Sequence, residues 1–196
     1  MLKQLKDYIF VKNIIPSNVC KQLVNEVQIK NHWEQHQWQN YGEMHSRKIK
    51  YPLKELEVAE SFPNQNDLLY PYVGEVLKEY EDFINKENTY GDYVGNCGIH
   101  MACPVRFNRY GVHTIMHAHH DHIHSLFDGE RKGIPILTLL GHLNDDYEGG
   151  EFVFFEDYKI ELKEGDILVF PSVFMYPHRV DPVTKGTRYT FVSWAW

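Results

Sequence analysis

The sequence predicts a mainly β protein: a jelly-roll sheet pair with a helical N-terminal layer packed on one sheet. Three observations carry this. Helical periodicity is confined to the first half of the chain. From near Gly98 onward, about eight short alternating or apolar runs take over, separated by turn residues. No strand–helix alternation follows, which argues against a parallel α/β sheet. The 196 residues are 43% hydrophobic and 24% charged, which suits one globular domain with its own core.

The elements follow in order. "IPSNVCKQLVNEVQ" predicts a helix, with Ser17 as N-cap after Pro16 and Val19, Leu23, Val24 and Val27 at helical spacing. Residues 31–66 show no clean period and carry Trp33, Trp38, Tyr41 and Tyr51. A long irregular connection of this kind is usually a lid, a binding loop or a disordered segment. "DLLYPYVGEVLKEYEDFINKEN" predicts a second helix, with Val73, Val76, Leu77, Tyr80 and Phe83 on one face. Strands are expected in "IHMACPVRFNRY", "HTIMHAHHD", "PILTLLGHLN", "GGEFVFFED", "YKIEL", "GDILVFPS", "YPHRV" and "TRYTFVSWAW". Gly149-Gly150 and "KEGD" punctuate them as hairpin turns or bulges.

Charge and composition exclude several classes. The net charge of −7 disfavours a general electrostatic grip on nucleic acid. No apolar run approaches the ~20 residues of a membrane span, and acid and lysine interrupt the opening "MLKQLKDYIF", so it does not read as a signal peptide. Cys20, Cys97 and Cys103 are odd in number and lack metal spacing. Buried free thiols in a reducing cytoplasm are their simplest account.

The densest chemistry lies in "HTIMHAHHDHIHS", His113 to Ser125. On a strand, alternation would place His113, His117, His119 and Asp121 on one face. His120, His122 and His124 would begin on the other face or lie in the following loop. His119 and Asp121 form a same-face His-x-Asp pair that could converge on one metal ion. His178, late in the β region, is the natural third ligand. Two imidazoles and a carboxylate make the facial triad of non-haem Fe(II) oxygenases, with zinc as the competitor on ligand chemistry. Arg188 stands ten residues beyond His178. A buried guanidinium near a metal needs an anion, and a dicarboxylate that chelates the metal at one end would supply it at the other.

At these residues the sequence resembles the Fe(II)/2-oxoglutarate-dependent oxygenase superfamily, in its prolyl-4-hydroxylase-like branch. The resemblance lies in "YGVHTIMHAHHD", "LTLLGHLNDDYEGGEFVF", "KEGDILVFPS" and "HRVDPVTKGTRYTFVSWAW", spanning roughly residues 110–196. It implies a double-stranded β-helix of the jelly-roll or cupin-like kind. Iron would be held by His119, Asp121 and His178, with Arg188 on the distal carboxylate of 2-oxoglutarate. Tyr110 matches a tyrosine that often lines the cosubstrate pocket, and His142 stands where related enzymes commonly have a tyrosine. His113 and Met116 replace a glycine and a tyrosine frequent in the family. The implied activity is a dioxygenase (hydroxylase) acting on an unactivated C–H bond, with 2-oxoglutarate decarboxylated to succinate. Peptidyl proline is the family's analogy for a substrate, and ascorbate is admitted as an accessory cofactor.

These features set the expectations for the whole chain. It should be a single oxygenase domain over residues 1–196. Residues 1–95 would form the helical layer and lid, and 96–196 the β-helix core with the metal site. The expected setting is cytoplasmic, with a peptide or small-molecule substrate, no membrane and no nucleic-acid partner. The competing reading is a cupin-like metal-binding protein or isomerase, because "GVHTIMHAH" also offers His117-x-His119. Its downstream glutamate is missing, and it has no need of Arg188. Bland roles stand beside the sharp ones: Tyr110, Trp33, Trp38 and Tyr41 could be packing aromatics, Gly149 and Gly150 serve backbone geometry, and the remaining histidines face solvent or support a ligand.

Overall fold

The central strands bury both faces, and this divides the protein into two cores. The computed structural model describes residues 4–36, 54–85, 99, 101–121 and 135–196. Two α-helices are present among them, α1 (Ser17–Lys30) and α2 (Pro63–Asn85). The strands are β1 (Phe10–Asn13), β2 (Glu34–Gln35), β3 (Lys54–Glu55), β4 (Glu57–Glu60), β5 (Arg106–Tyr110), β6 (Thr114–His119), β7 (Leu137–His142), β8 (Glu148–Gly149), β9 (Phe152–Phe154), β10 (Tyr158–Ile160), β11 (Asp166–Pro171), β12 (His178–Val180), β13 (Val183–Lys185) and β14 (Arg188–Ala195).

Seven strands form the larger sheet, in the order β1-β11-β7-β14-β5-β4-β2, all antiparallel. The facing sheet runs β10-β9-β12-β6-β3, with only β3 parallel to its neighbour. A short β13-β8 pair closes one end. The expected jelly-roll is therefore the observed architecture, and each of the eight runs predicted as strands contains one.

Alternation along β14 assigns the faces. Tyr189, Phe191 and Ala195 join Phe107 of β5 and Leu137 and Leu139 of β7 in a core shared with the helices. The helices contribute Val19, Leu23 and Val27 from α1, and Leu69, Val73, Val76 and Tyr80 from α2, at the three- and four-residue spacing their sequence carries. Burial of each such side chain contributes ~1.5–3 kcal/mol. The second core lies between the sheets and gathers Tyr110, Met116, Leu140, Phe152, Phe154, Leu168, Phe170 and Val180.

Three expectations change. Ser17 is the first residue of α1 rather than its cap. Pro16 holds the cap position, and the Ser17 hydroxyl pairs with Glu164 on the β10–β11 connection. The segment 31–66 is not uniformly irregular: its described parts supply the edge strands β2 and β3, β4 between β5 and β2, and the start of α2. Backbone pairing to an existing sheet needs no hydrophobic period, so this was hidden in composition. Trp33 is a packing residue: it meets Tyr189 edge-on at 6.2 Å, stacks under Arg109 and donates to the Val27 carbonyl. Trp38, Tyr41 and Tyr51 lie outside the described residues, as does Cys97. Cys20 and Cys103 are buried free thiols.

Gly141 of β7 faces the helical core directly against the Phe191 ring, so a Cβ there would overlap that ring. Gly141→Ala should therefore lower stability by ~1–3 kcal/mol, the usual cost of overpacking. A urea titration checks this; an unchanged midpoint would show that Phe191 can move aside.

Candidate metal centre

The inner ends of β6 and β12 meet at the mouth of the sandwich. His178 pairs with His119 across these strands, and Asp121 follows β6 by two residues. The ligand-capable atoms of His119, Asp121 and His178 all lie within 4.8 Å of one another. His119 Nε2 is 3.4 Å from Asp121 Oδ1, and His178 Nε2 is 3.8 Å from Asp121 Oδ2. Among the described residues no other group of His, Cys, Asp or Glu gathers this way.

Local bonds orient each member. His119 Nδ1 donates to the His117 carbonyl at 2.8 Å, and His178 Nδ1 donates to the Tyr176 carbonyl at 3.1 Å. These bonds place the ring proton on Nδ1 and leave the Nε2 lone pairs facing Asp121, the arrangement metal-ligating imidazoles use. The Thr138 hydroxyl donates to Asp121 Oδ2 at 2.7 Å and accepts from Ser172 Oγ at 2.8 Å. Phe152 stacks on the His178 ring at 5.1 Å, and Phe170 meets its edge at 5.0 Å.

Electrostatics match this packing. Burial alone would push the Asp121 carboxyl up, but His178, His119 and the Thr138 hydroxyl together hold it well below the ordinary carboxylate range. Burial, with His119 beside it, lowers His178 to about 4. Near neutral pH the trio is thus one anionic oxygen donor and a neutral imidazole beside His119. Its oxygen and nitrogen donors, with positions left open, suit non-haem iron.

β6 does not alternate as a simple strand. The register against β12 slips between the His119–His178 and Met116–Val180 pairs. This bulge turns Met116 and His119 to the same cavity, and both line it with Asp121 and His178. His117 does not share the ligand face as alternation predicted; its Nδ1 meets the Glu55 carboxylate of β3. The His117-x-His119 pairing of the cupin reading is therefore not assembled. His113 lies in the preceding turn with φ 64, a backbone region that favours glycine. His120 is exposed, and His122 and His124 lie outside the described residues.

Arg188 is 1% exposed, and its guanidinium lies 4.9 Å over the Tyr110 ring. Its Nε and Nη1 have no hydrogen-bond partner. Gly150, with φ 68, lets the chain pass beside the arginine stem, where a Cβ would come within 3.1 Å of Arg188 Cδ. His142 is also buried. Its Nε2 lies 3.2 Å from Asp145 and 3.3 Å from the Tyr147 hydroxyl, while its Nδ1 has no partner. A cleft of about 470 Å³ reaches His142, Tyr147, Phe152 and Arg188. Phe152 also borders the cavity at the trio.

Cross-strand register brings further polar groups into this row. Thr190 of β14 is paired with both Asn108 of β5 and His142 of β7. Asn108 Oδ1, Thr190 Oγ1 and His142 Nδ1 are all buried without partners. Each such orphan costs ~1–3 kcal/mol. These atoms and the two unpartnered Arg188 nitrogens could meet a polar ligand with an anionic end, and the trio's donors could hold a metal beside it. Sequence reasoning missed Asn108 and Thr190. Their signal was position: in "RFNRY" and "RYTFVSW", Asn108 is two residues from Tyr110 and Thr190 two from Arg188, so each shares a strand face with a predicted site residue.

Residues 105–196 match the model of the 2OG-Fe(II) oxygenase superfamily. This segment belongs to that superfamily. Within the oxygenases, 94 residues are 43% identical to a PKHD-type hydroxylase of Idiomarina loihiensis, covering 46% of this chain and 40% of that protein. Another 33% identity holds over 101 residues of a PKHD-type hydroxylase of Acinetobacter baumannii, 48% of this chain and 44% of that one. The match therefore spans less than half the length of either relative. The fold is that of prolyl hydroxylases. A Trichoplax adhaerens prolyl hydroxylase, solved with a hypoxia inducible factor peptide fragment, superposes with TM-score 0.65 at 18% identity, over 97% of this chain and 84% of that one. The Pseudomonas putida prolyl-4-hydroxylase gives 0.61 at 16%, over 96% and 91%. Among the described residues no helix is long and apolar enough to cross a membrane.

His142 offers a pH test. Burial, with Arg188 nearby, lowers it to about 3. Its folded value is depressed below the ordinary 6.5, so between the two the unfolded chain binds a proton that the folded protein refuses. The protein should therefore lose stability as pH falls from about 6.5 towards 3. His142→Gln should flatten that loss, read as denaturation midpoints across the range. A slope identical to the parent's would place the acid sensitivity elsewhere.

Proposed function

We propose that this protein is an Fe(II)- and 2-oxoglutarate-dependent dioxygenase that hydroxylates an unactivated C–H bond of a peptide or small organic molecule. His119, Asp121 and His178 are the metal ligands in this reading. Arg188 is the anchor for the distal carboxylate, and Tyr110 and His142 are cosubstrate contacts. The chain works as one oxygenase domain, with residues 1–95 as helical layer and lid and 96–196 as catalytic core, in the cytoplasm. The observation that carries the reading is the combination of a two-imidazole, one-carboxylate cluster with a buried guanidinium that has two unpartnered nitrogens in one interior.

Bound iron with 2-oxoglutarate would supply dioxygen activation and hydroxylation, with succinate and carbon dioxide as coproducts. The protein's own residues prepare for this. The His117 and Tyr176 carbonyls hold the two imidazoles in the ligating tautomer. Thr138 fixes one Asp121 oxygen, leaving the other free to bind. Arg188 meets a carboxylate with two donors that have no other acceptor, and the Tyr110 ring packs beneath it. Phe152, Phe170 and Leu140 line the cavity and exclude bulk water. The prolyl hydroxylase fold and the PKHD-type relatives support a hydroxylase, with a prolyl peptide as one substrate class. Ascorbate would serve only as an accessory reductant.

The decisive experiment is an anaerobic titration of the purified chain with Fe(II) and 2-oxoglutarate, followed by oxygen and succinate assay. A weak visible band and succinate release are expected; absence of both would refute the reading. His178→Ala should abolish iron retention by metal analysis, and normal occupancy would remove His178 from the ligand set. Arg188→Met should weaken 2-oxoglutarate roughly 10- to 150-fold while sparing metal, the range of ~1.5–3 kcal/mol for a charge-assisted hydrogen bond.

A further inference from the structure

A second guanidinium lies at the metal end of the same interior. Arg106 opens β5, and its Nε is buried without a hydrogen-bond partner. It lines the cavity that holds His119, Asp121 and His178. Its cross-strand neighbour on β14 is Val192, and its guanidinium carbon lies 5.2 Å from the Trp194 ring. The cross-strand acid on β4 is Glu60, which is exposed and forms no ion pair with Arg106. The other acid whose field reaches it is Asp121, a proposed metal ligand. Among the described residues Arg106 therefore has no carboxylate of its own.

Charge balance separates Arg106 from the cosubstrate. In the oxygenase reading, on which this inference rests, ferrous charge is met by Asp121 and the near end of 2-oxoglutarate. Arg188 is met by the far end. That set closes to neutrality without Arg106. His36, whose ring feels the charge of Arg106, is an imidazole and supplies no negative charge in either protonation state. Arg106 is half-buried, with its Nε shut off from solvent, and this additional cation could be met by one additional anion.

We propose that Arg106 binds a carboxylate of the primary substrate, so that the oxidised C–H bond belongs to an organic acid or to the acid end or acidic side chain of a peptide. Trp194 holds the guanidinium flat by cation–π contact, leaving its edge for a planar acceptor. This makes Arg106 a specificity-determining residue distinct from Arg188.

The test uses the full chain loaded with Zn(II), with and without 2-oxoglutarate, and a panel of N-acetyl amino acids against their primary amides at up to ~10 mM, a range that detects weak millimolar binding. Saturation-transfer NMR reads binding, and melting temperature reports folding. The wild type should favour acids over amides about tenfold or more, Arg106→Met should erase that preference, and Arg106→Lys should keep part of it. In the same Arg106→Met sample 2-oxoglutarate affinity should change less than about threefold. Equal binding of acids and amides, no binding of any acid, or an acid preference that survives Arg106→Met would overturn the proposal. So would a tenfold loss of 2-oxoglutarate affinity in Arg106→Met, which would give Arg106 to the cosubstrate's near carboxylate. A purely structural role would lower the melting temperature and leave the acid-to-amide ratio unmoved, which also overturns it. Failure of the wild type itself to bind 2-oxoglutarate would strike the oxygenase reading, and the acid–amide comparison without cosubstrate would still decide Arg106.

Discussion

A buried carboxylate is the constraint around which the rest is arranged. Asp121 is 5% exposed, and a lone ionised acid there would be prohibitive. It is tolerated because three groups from three strands converge on it. His119 comes from β6 and His178 from β12, both in the smaller sheet, while Thr138 comes from β7 in the larger one. The carboxylate thus links the two layers of the sandwich at its mouth. Ser172, next to the end of β11, extends the chain of hydroxyls that fixes it. The same requirement that makes the acid expensive makes the geometry specific.

The larger sheet translates that requirement into architecture. Its strands present apolar side chains to α1 and α2 on one face and a mixed row to the interior on the other. Tyr189, Phe191 and Ala195 stabilise the helical layer, while Arg188, Thr190 and Trp194 look inward. A sheet buried on both faces can tolerate orphan polar atoms only if most of its area packs well. The two apolar cores supply that, and the stability they contribute offsets the unpaired groups that face a ligand site. Gly150 shows the same economy on a smaller scale, since its missing side chain leaves room for the Arg188 stem.

Legibility followed locality. Helical faces at Val19, Leu23 and Val27, or at Val73, Val76 and Tyr80, repeat within a few residues and were readable. So were the eight strand runs and the turns at Gly149, Gly150 and Gly165, each carrying its own backbone signal. β2, β3 and β4 were not, because short strands at or next to a sheet edge pair through their backbones and leave little trace in side-chain order. His117 was assigned to the ligand face because alternation was assumed. The bulge that turns it to Glu55 depends on how β12 lies against β6. Ser17 looked like a cap, yet Glu164, remote in sequence, takes its hydroxyl.

Residue order alone specifies the fold class, the strand runs, and which His, Asp and Arg residues could serve a metal and a dicarboxylate. Those properties reside in residue type and short spacing, which a linear string preserves. The folded sandwich brings the ligand atoms of residues 119, 121 and 178 to within 4.8 Å of one another. It alone set the inward row of Asn108, Thr190 and His142, and it alone brought Arg106 to the cavity with no ion pair among the described residues. Register and bulges across strands far apart in the chain decide such meetings, and they depend on packing that no local pattern records.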